Sequence, residues 1–271
     1  MEHKRPPMQR EITWTDLGDR IYNISTPPVG FQQYLIVGNE KAMMIDTGLG
    51  IGSIRQTVDA ITSLPLILVN THCHPDHAGG NAEFPPALIN PADFDVFEKM
   101  TTLEFRQQDV SHMPGGEEWV PLLQPTGPKP ISAEDGQIID LGGRQLKLIF
   151  TPGHTPGSTC FFEMDGRPWG YSGDAFGSTN LLLMTNFSTL IATTTRIERY
   201  LRLHGIEKMY PGHYHGDNPE TPQRVRDLRR MSEEMLDGRR KGEPTGAATG
   251  LNARINDFGV NINYRDPEGL K

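Results

Sequence analysis

Cysteine is nearly absent from this chain. Its 271 residues hold two, Cys73 and Cys160, and neither belongs to a Cys-x-x-Cys pair. That excludes a disulfide-built scaffold and a thiolate zinc ribbon. Cys160 lies in Thr159-Cys160-Phe161-Phe162 and reads as a small buried hydrophobe. No apolar run approaches the roughly 20 residues of a membrane span. Residues 1–10 are polar and lack the apolar core of a signal peptide. A cytoplasmic protein with no membrane partner is expected. Positive charge is also in short supply: the net charge is −8 and there is no basic tract, so no nucleic-acid partner is expected. With 36% hydrophobic and 22% charged residues, the composition is that of a folded globular chain. We expect one domain over residues 1–271, with an irregular insertion at about 107–135 and a C-terminal tail from about 238.

Alternation over 20–25 and short apolar runs at 34–37 and 42–45 predict strands, the last two forming a hairpin at Asn39-Glu40. Residues 51–64 have helical spacing, with Ile54, Val58 and Ile61 on one face and Pro65 after it. Residues 66–69 read as a buried strand, 87–90 as another, and 91–106 as a helix with Pro91 in its first turn. Residues 113–130 carry five prolines, three glycines and Trp119 without periodicity, as a lid, a pocket wall or a plain surface loop would. Hairpins follow at 137–150, turning at Gly142-Gly143, and at 158–172, turning at Asp165-Gly166. A helix over 190–203, a strand at 208–210 and a charged helix over 219–236 come next. The Arg224, Arg226, Arg229 and Arg230 face of that last helix reads as solvated surface rather than a phosphate site. The tail is glycine-rich and ends in a strand at 260–264. Both halves run strands, helix, strand, histidine loop, which suggests two sheets covered by helices.

The richest chemistry is at His72-Cys73-His74-Pro75-Asp76-His77-Ala78-Gly79-Gly80. Three imidazoles and a carboxylate fall within residues 72–77 of a chain with 9 His in all. These donors suit zinc or a similar borderline transition metal. Three more loops follow predicted strands: Thr151-Pro152-Gly153-His154-Thr155-Pro156-Gly157, Ser172-Gly173-Asp174-Ala175 and Tyr210-Pro211-Gly212-His213. Loops at strand ends commonly build sites on one edge of a sheet.

In this order, His-x-His-x-Asp-His, Pro-Gly-His, Gly-Asp and Gly-His, the chain resembles the metallo-β-lactamase-fold superfamily of hydrolases across residues 46–213. Within it, His77-Ala78-Gly79-Gly80-Asn81 and Ser172-Gly173-Asp174-Ala175 look most like the glyoxalase II and lactonase-like branch. The resemblance implies an α+β fold, a four-layered αβ/βα sandwich of two mixed β-sheets flanked by helices. It implies that His72, His74 and His154 bind one metal, that Asp76, His77 and His213 bind a second, and that Asp174 bridges them. Asp46 would lie under the site and orient a ligand histidine. The residues agree: His72 and His74 alternate by two, so an extended segment presents both on one side and turns Cys73 away to pack.

The cofactors so implied are two divalent metal ions, Zn2+ first, with Fe or Mn as alternatives. The activity implied is hydrolysis of a small-molecule ester, thioester or lactone through a metal-bridging hydroxide, with Asp76 orienting it or relaying a proton. β-Lactam or phosphodiester hydrolysis on the same site is the alternative, and a non-haem iron oxidoreductase or dioxygenase is the alternative of another class. His74 stands where the flavin-di-iron branch has Glu, Asp174 is a residue that strict lactamases often lack, and persulfide dioxygenases use only three protein ligands. His215 is a second candidate for the place of His213. His3, His112 and His204 have no supporting motif. Phe31, beside the 27–33 loop, Trp119 and Tyr214 are aromatic residues that line a pocket or simply pack, so substrate contacts stay unassigned. The oligomeric state is not legible, a homodimer being one alternative.

Overall fold

The structure is a computed structural model, and it describes residues 8–113, 115–213, 219–246, 250–266 and 269. The chain divides into two compact units, residues 1–133 with 140–144, and residues 134–139 with 145–271.

The first unit is built on a seven-stranded sheet in sequence order. Its strands are β1 (Thr13–Gly18), β2 (Ile21–Thr26), β3 (Phe31–Val37), β4 (Ala42–Ile45), β5 (Leu66–Val69), β6 (Leu88–Ile89) and β7 (Ile131–Ser132). β1 to β4 form an antiparallel meander, and β4 to β7 are parallel. β3 is buried along its whole length, so Tyr34 to Val37 form an apolar run rather than an alternation, and Gln32 and Gln33 are buried with them. β1 is exposed at every position, which is why no hydrophobic pattern betrays it. It is held by pairing with β2 and by Trp14 set edge-on against Tyr22.

The helices of this unit are α1 (Ile54–Ile61), α2 (Pro75–Ala78), α3 (Phe94–Met100), α4 (Leu103–Ser111) and α5 (Gly116–Trp119). α1 is shorter than its 51–64 pattern. Gly52 takes a φ of 75°, and the Ser53 side chain then caps the helix by accepting from Gln56 N. Ile54 and Val58 bury against Leu35, Met44 and Leu68. The helix expected over 91–106 is instead a 3-10 turn followed by α3 and α4. Thr102, extended at ψ 148°, caps α4 through its side chain and so breaks the run. Residues 113–130 contain α5 and one 3-10 turn, Val120–Leu122, and are otherwise irregular.

The second unit holds two sheets and the longest helices. The five-stranded sheet has the order β13-β11-β10-β9-β8, from β8 (Ile138–Asp140), β9 (Gln145–Phe150), β10 (Thr159–Glu163), β11 (Trp169–Gly173) and β13 (Lys208–Pro211). β11 and β13 are parallel, joined through α6 (Phe187–His204). Asn186 caps the start of α6, Gly205 ends it at a φ of 64°, and Arg202 and His204 in its last turn suit the negative end of the helix dipole. The second sheet runs β12 (Asn180–Leu182), β16 (Val260–Tyr264), β15 (Ala253–Asp257), β14 (Glu243–Pro244). The tail from 238 therefore supplies three strands of a sheet where the sequence pattern marks only one. One apolar core unites Phe162 and Ile149, α6, α7 (Pro222–Leu236) and the tail strands through Ile255, Val260 and Ile262.

Arg226 and Arg229 on α7 pair with Glu198 of α6, and Arg230 with Glu234 one turn on, so this face is spent on ion pairs between and along helices. No helix among the described residues is long and apolar enough to cross a membrane. The class is α+β, mixed sheets flanked by helices, as expected.

Candidate metal centre

The first unit gathers His72, His74, Asp76 and His77 at the end of β5. Ile45 of β4 is the register partner of Val69 of β5, so the residues that follow, Asp46 and Asn70, emerge side by side. Asp46 takes a φ of 62°, a region where Asp is tolerated but strained. Thr71 holds it there: its N–H donates to Asp46 Oδ1 at 2.8 Å and its hydroxyl to Oδ2 at 2.7 Å. His74 then caps α2 with Pro75 at the first helical position, and this single turn returns His77 to the same side. The rings of His72 and His74 lie 4.7 Å apart, and those of His72 and His77 4.0 Å. Donor atoms of His72 and His74, of His72 and His77, and of Asp76 and His77 approach within 4.8 Å.

His77 Nδ1 lies 2.8 Å from Asp46 Oδ2. A carboxylate accepts, so Nδ1 carries the proton and Nε2 presents its lone pair. That Nε2 is 3.6 Å from Asp76 Oδ2, too long for a hydrogen bond. Two ligand atoms each about 2.0–2.1 Å from one tetrahedral zinc ion stand roughly 3.3–3.4 Å apart, close to this spacing. The donor set and its fixed tautomer fit a divalent metal.

The loop must also lie close to its neighbours. A Cβ on Gly79 would come within 2.4 Å of Leu49 O, so only glycine fits there. Asn81 accepts from the Thr47 hydroxyl at 2.7 Å and donates to Asn70 Oδ1 at 2.8 Å. From beside β5, Asp93 Oδ2 accepts the Cys73 N–H at 3.1 Å and steadies the backbone between His72 and His74. Burial, then Asp93 and Asp46, push the Cys73 thiol well above its usual range, so it stays protonated and packs.

The second unit gathers His154, Asp174 and His213. His154 sits in the turn after β9, which closes on itself through Thr151 N to Ser158 O at 2.7 Å. Its Nδ1 donates to Leu182 O at 2.8 Å, which again leaves Nε2 as the ligand nitrogen. Gly173 of β11 pairs with Pro211 of β13, and the residues beyond these two strand ends meet. His213 Nε2 lies 3.1 Å and His154 Nε2 3.7 Å from Asp174 Oδ2. One carboxylate oxygen facing two imidazoles is again a metal donor set.

The structure therefore brings the predicted donors into two sets, with Asp46 bonded to the first. Three residues with structural work at these sets carried no motif. Asn70 and Asp93 are two, and the third is Glu220, whose Oε1 accepts from Ser178 N at 2.8 Å behind the Asp174 loop. Burial pushes Glu220 up to about 7. A lone acid ahead of a helix gives no sequence signal. Phe31 and Trp119 meet in one apolar cluster with Leu49, Ile51 and Val110. His112 bonds Gln108 O at 2.6 Å on an exposed helix end, and His204 lies against Tyr200. His3, Tyr214 and His215 lie outside the described residues.

A model of the metallo-beta-lactamase superfamily matches residues 31–213. Acyl-coenzyme A thioesterase MBLAC2 of Homo sapiens is 31% identical over 208 residues, which cover 67% of this chain and 72% of that protein. An atrochrysone carboxyl ACP thioesterase of Aspergillus novofumigatus is 24% identical over 68% of this chain and 49% of its own. Among solved structures, a metallo-beta-lactamase family protein of Thermus thermophilus superposes with a TM-score of 0.59 at 18% identity, covering 82% of each chain, and shows the same fold.

Proposed function

The chain belongs to the metallo-β-lactamase superfamily and is a hydrolase, and on that premise we propose that it cleaves a small-molecule thioester, with an acyl-coenzyme A thioester as the first candidate. The observation that carries this reading is the pair of donor sets in which one histidine each, His77 and His154, is locked with Nε2 outward. The substrate class is supported by the thioesterase names of two relatives. Esters and lactones present the same electrophilic carbonyl and stand next in line.

In this reading His72, His74 and His154 hold one ion, Asp76, His77 and His213 a second, and Asp174 bridges them. Zinc is the metal we assign, and the cytoplasm the location. Two divalent cations held there supply Lewis acidity that lowers the pKa of water and polarises the carbonyl. The chain's own contribution is orientation. Asp46 fixes the His77 ring, Leu182 O fixes the His154 ring, and Thr71 fixes Asp46. The Asp76 side chain is 21% exposed against 1% for His77, so its carboxylate is the acidic group of this set placed to reach water, orient it and carry its proton.

The test is turnover by zinc-loaded protein on an acyl-coenzyme A thioester, an acyl lactone, a β-lactam and a phosphodiester, each beside a chelated control. The expected result is chelator-sensitive turnover of the thioester, at least tenfold above the β-lactam and the phosphodiester in kcat/KM. Preferred turnover of either of these two would overturn the substrate class. Oxygen consumption by iron-loaded protein without hydrolysis would overturn the hydrolytic reading.

A further inference from the structure

We propose that Glu220 is a positioning residue for Asp174, its buried carboxyl holding the far end of the loop that presents this carboxylate. The proposal rests on the reading of Asp174 as a metal ligand. The loop leaves β11 at Ser172 and Gly173 and enters β12 at Asn180. It is a chain of tight turns, with Ala175 N donating to Ser172 O at 3.1 Å and Gly177 N to Asp174 O at 3.2 Å. Gly173 and Gly177 take φ values of 51° and 67°, and Ser178, which has a side chain, takes 27°. That last conformation is strained for an L residue and persists only where surrounding contacts impose it.

Glu220 imposes it. Its Oε1 accepts the Ser178 N–H at 2.8 Å. That bond holds the residue four after Asp174, while at the near end of the loop the Ser172 hydroxyl donates to Tyr210 O at 3.4 Å. Glu220 is itself fixed, because its backbone pairs both ways with Met209 of β13, at 2.7 and 2.9 Å. It is 3% exposed, and Oε2 has no hydrogen-bond partner among the described residues. A buried carboxyl with one oxygen unsatisfied opposes folding by itself. An apolar side chain would pack there without that cost but would release Ser178 and with it the far end of the loop. The clamp acts on where Asp174 Oδ2 stands relative to His154 and His213, the 3.7 and 3.1 Å separations that a bound cation requires.

The test is zinc affinity, read by competition with a chromophoric chelator, on metal-free wild type, Glu220→Ala, Glu220→Gln and Glu220→Met. Loss of a partner that orients a metal ligand typically weakens affinity by about 10- to 100-fold, and that is the loss expected for Glu220→Ala. Glu220→Gln keeps an acceptor for Ser178 N and is expected within about threefold of wild type; Glu220→Met, which fills the space without an acceptor, is expected to match Glu220→Ala. The visible spectrum of the cobalt-loaded protein should change for Glu220→Ala and not for Glu220→Gln. Wild-type affinity in Glu220→Ala, or equal loss in Glu220→Gln, would overturn the clamp. Should Glu220→Ala fail to fold, Glu220→Met decides, and unchanged affinity there overturns it. A wild type that binds no zinc would instead overturn the metal reading on which the clamp rests.

Discussion

Replacing Asp174 with alanine is expected to lower kcat/KM on the thioester by about a thousandfold, or about 4 kcal/mol of transition-state stabilisation. The reasoning starts from its place between two imidazoles, 3.1 Å from His213 Nε2 and 3.7 Å from His154 Nε2. A carboxylate there does two things. In the proposed reading it would neutralise part of the charge of two bound cations and set their spacing for action on one carbonyl. Alanine removes both and leaves histidines alone, which hold a metal less tightly. The effect belongs in kcat and in metal content, with the melting temperature of the metal-free protein little changed, because the Asp174 side chain is 15% exposed and the loop backbone has its own bonds. Steady-state kinetics and metal analysis check this. A loss of less than tenfold at full metal content would remove Asp174 from the chemistry.

Arg106 carries the largest expected effect on stability. It is fully buried at 0% exposure, and its four acceptors are all backbone carbonyls. Nε donates to Thr101 O at 3.0 Å, Nη1 to Leu49 O at 3.0 Å, and Nη2 to Gln124 O and Pro125 O at 2.8 and 3.0 Å. Burial pulls the guanidinium down to about 10, so it is still charged at neutral pH. Its partners identify its task. Gln124 and Pro125 belong to the proline-rich stretch that lacks periodicity, and Leu49 packs on Gly79 of the histidine loop.

One side chain therefore ties an irregular segment to the segment under the metal donors. Arg106→Met is expected to destabilise the protein by about 3–5 kcal/mol, because four carbonyls lose a donor inside the fold and the apolar replacement satisfies none. Arg106→Lys recovers only part of this, since a point ammonium cannot reproduce a planar fork of donors. Urea unfolding with constant m-value measures the difference. A change under about 1 kcal/mol for Arg106→Met would show that water or rearranged chain replaces the guanidinium at little cost.

The candidate donors were legible because each stands in a short motif at a strand end, and hydrophobic runs such as Leu66–Val69 announce the strands that deliver them. The hairpins at 137–150 and 158–172 were legible from their Gly-Gly and Asp-Gly turns, and Cys73 from its alternation away from its histidine neighbours. What escaped has physical reasons. β1 shows no pattern because none of its residues is buried. The break between α3 and α4 depends on one threonine side chain reaching Phe105 N, a choice that the apolar spacing does not encode. The tail sheet forms because β16 finds β12 far upstream in the chain, with Asn180 paired to Asn261, and long-range pairing leaves no local trace. Arg106, Asp93 and Glu220 look like ordinary surface charges in a helix or ahead of one; only burial reveals that each serves backbone groups at or near the donors.

The measurement that bears most directly on this account is a zinc titration of the chelated protein, with bound metal and thioester turnover recorded at each step. The account predicts negligible turnover without metal, a rise as zinc is added, and a plateau at two ions per chain. Full turnover by the metal-free protein, or a plateau reached with no zinc retained, would contradict it.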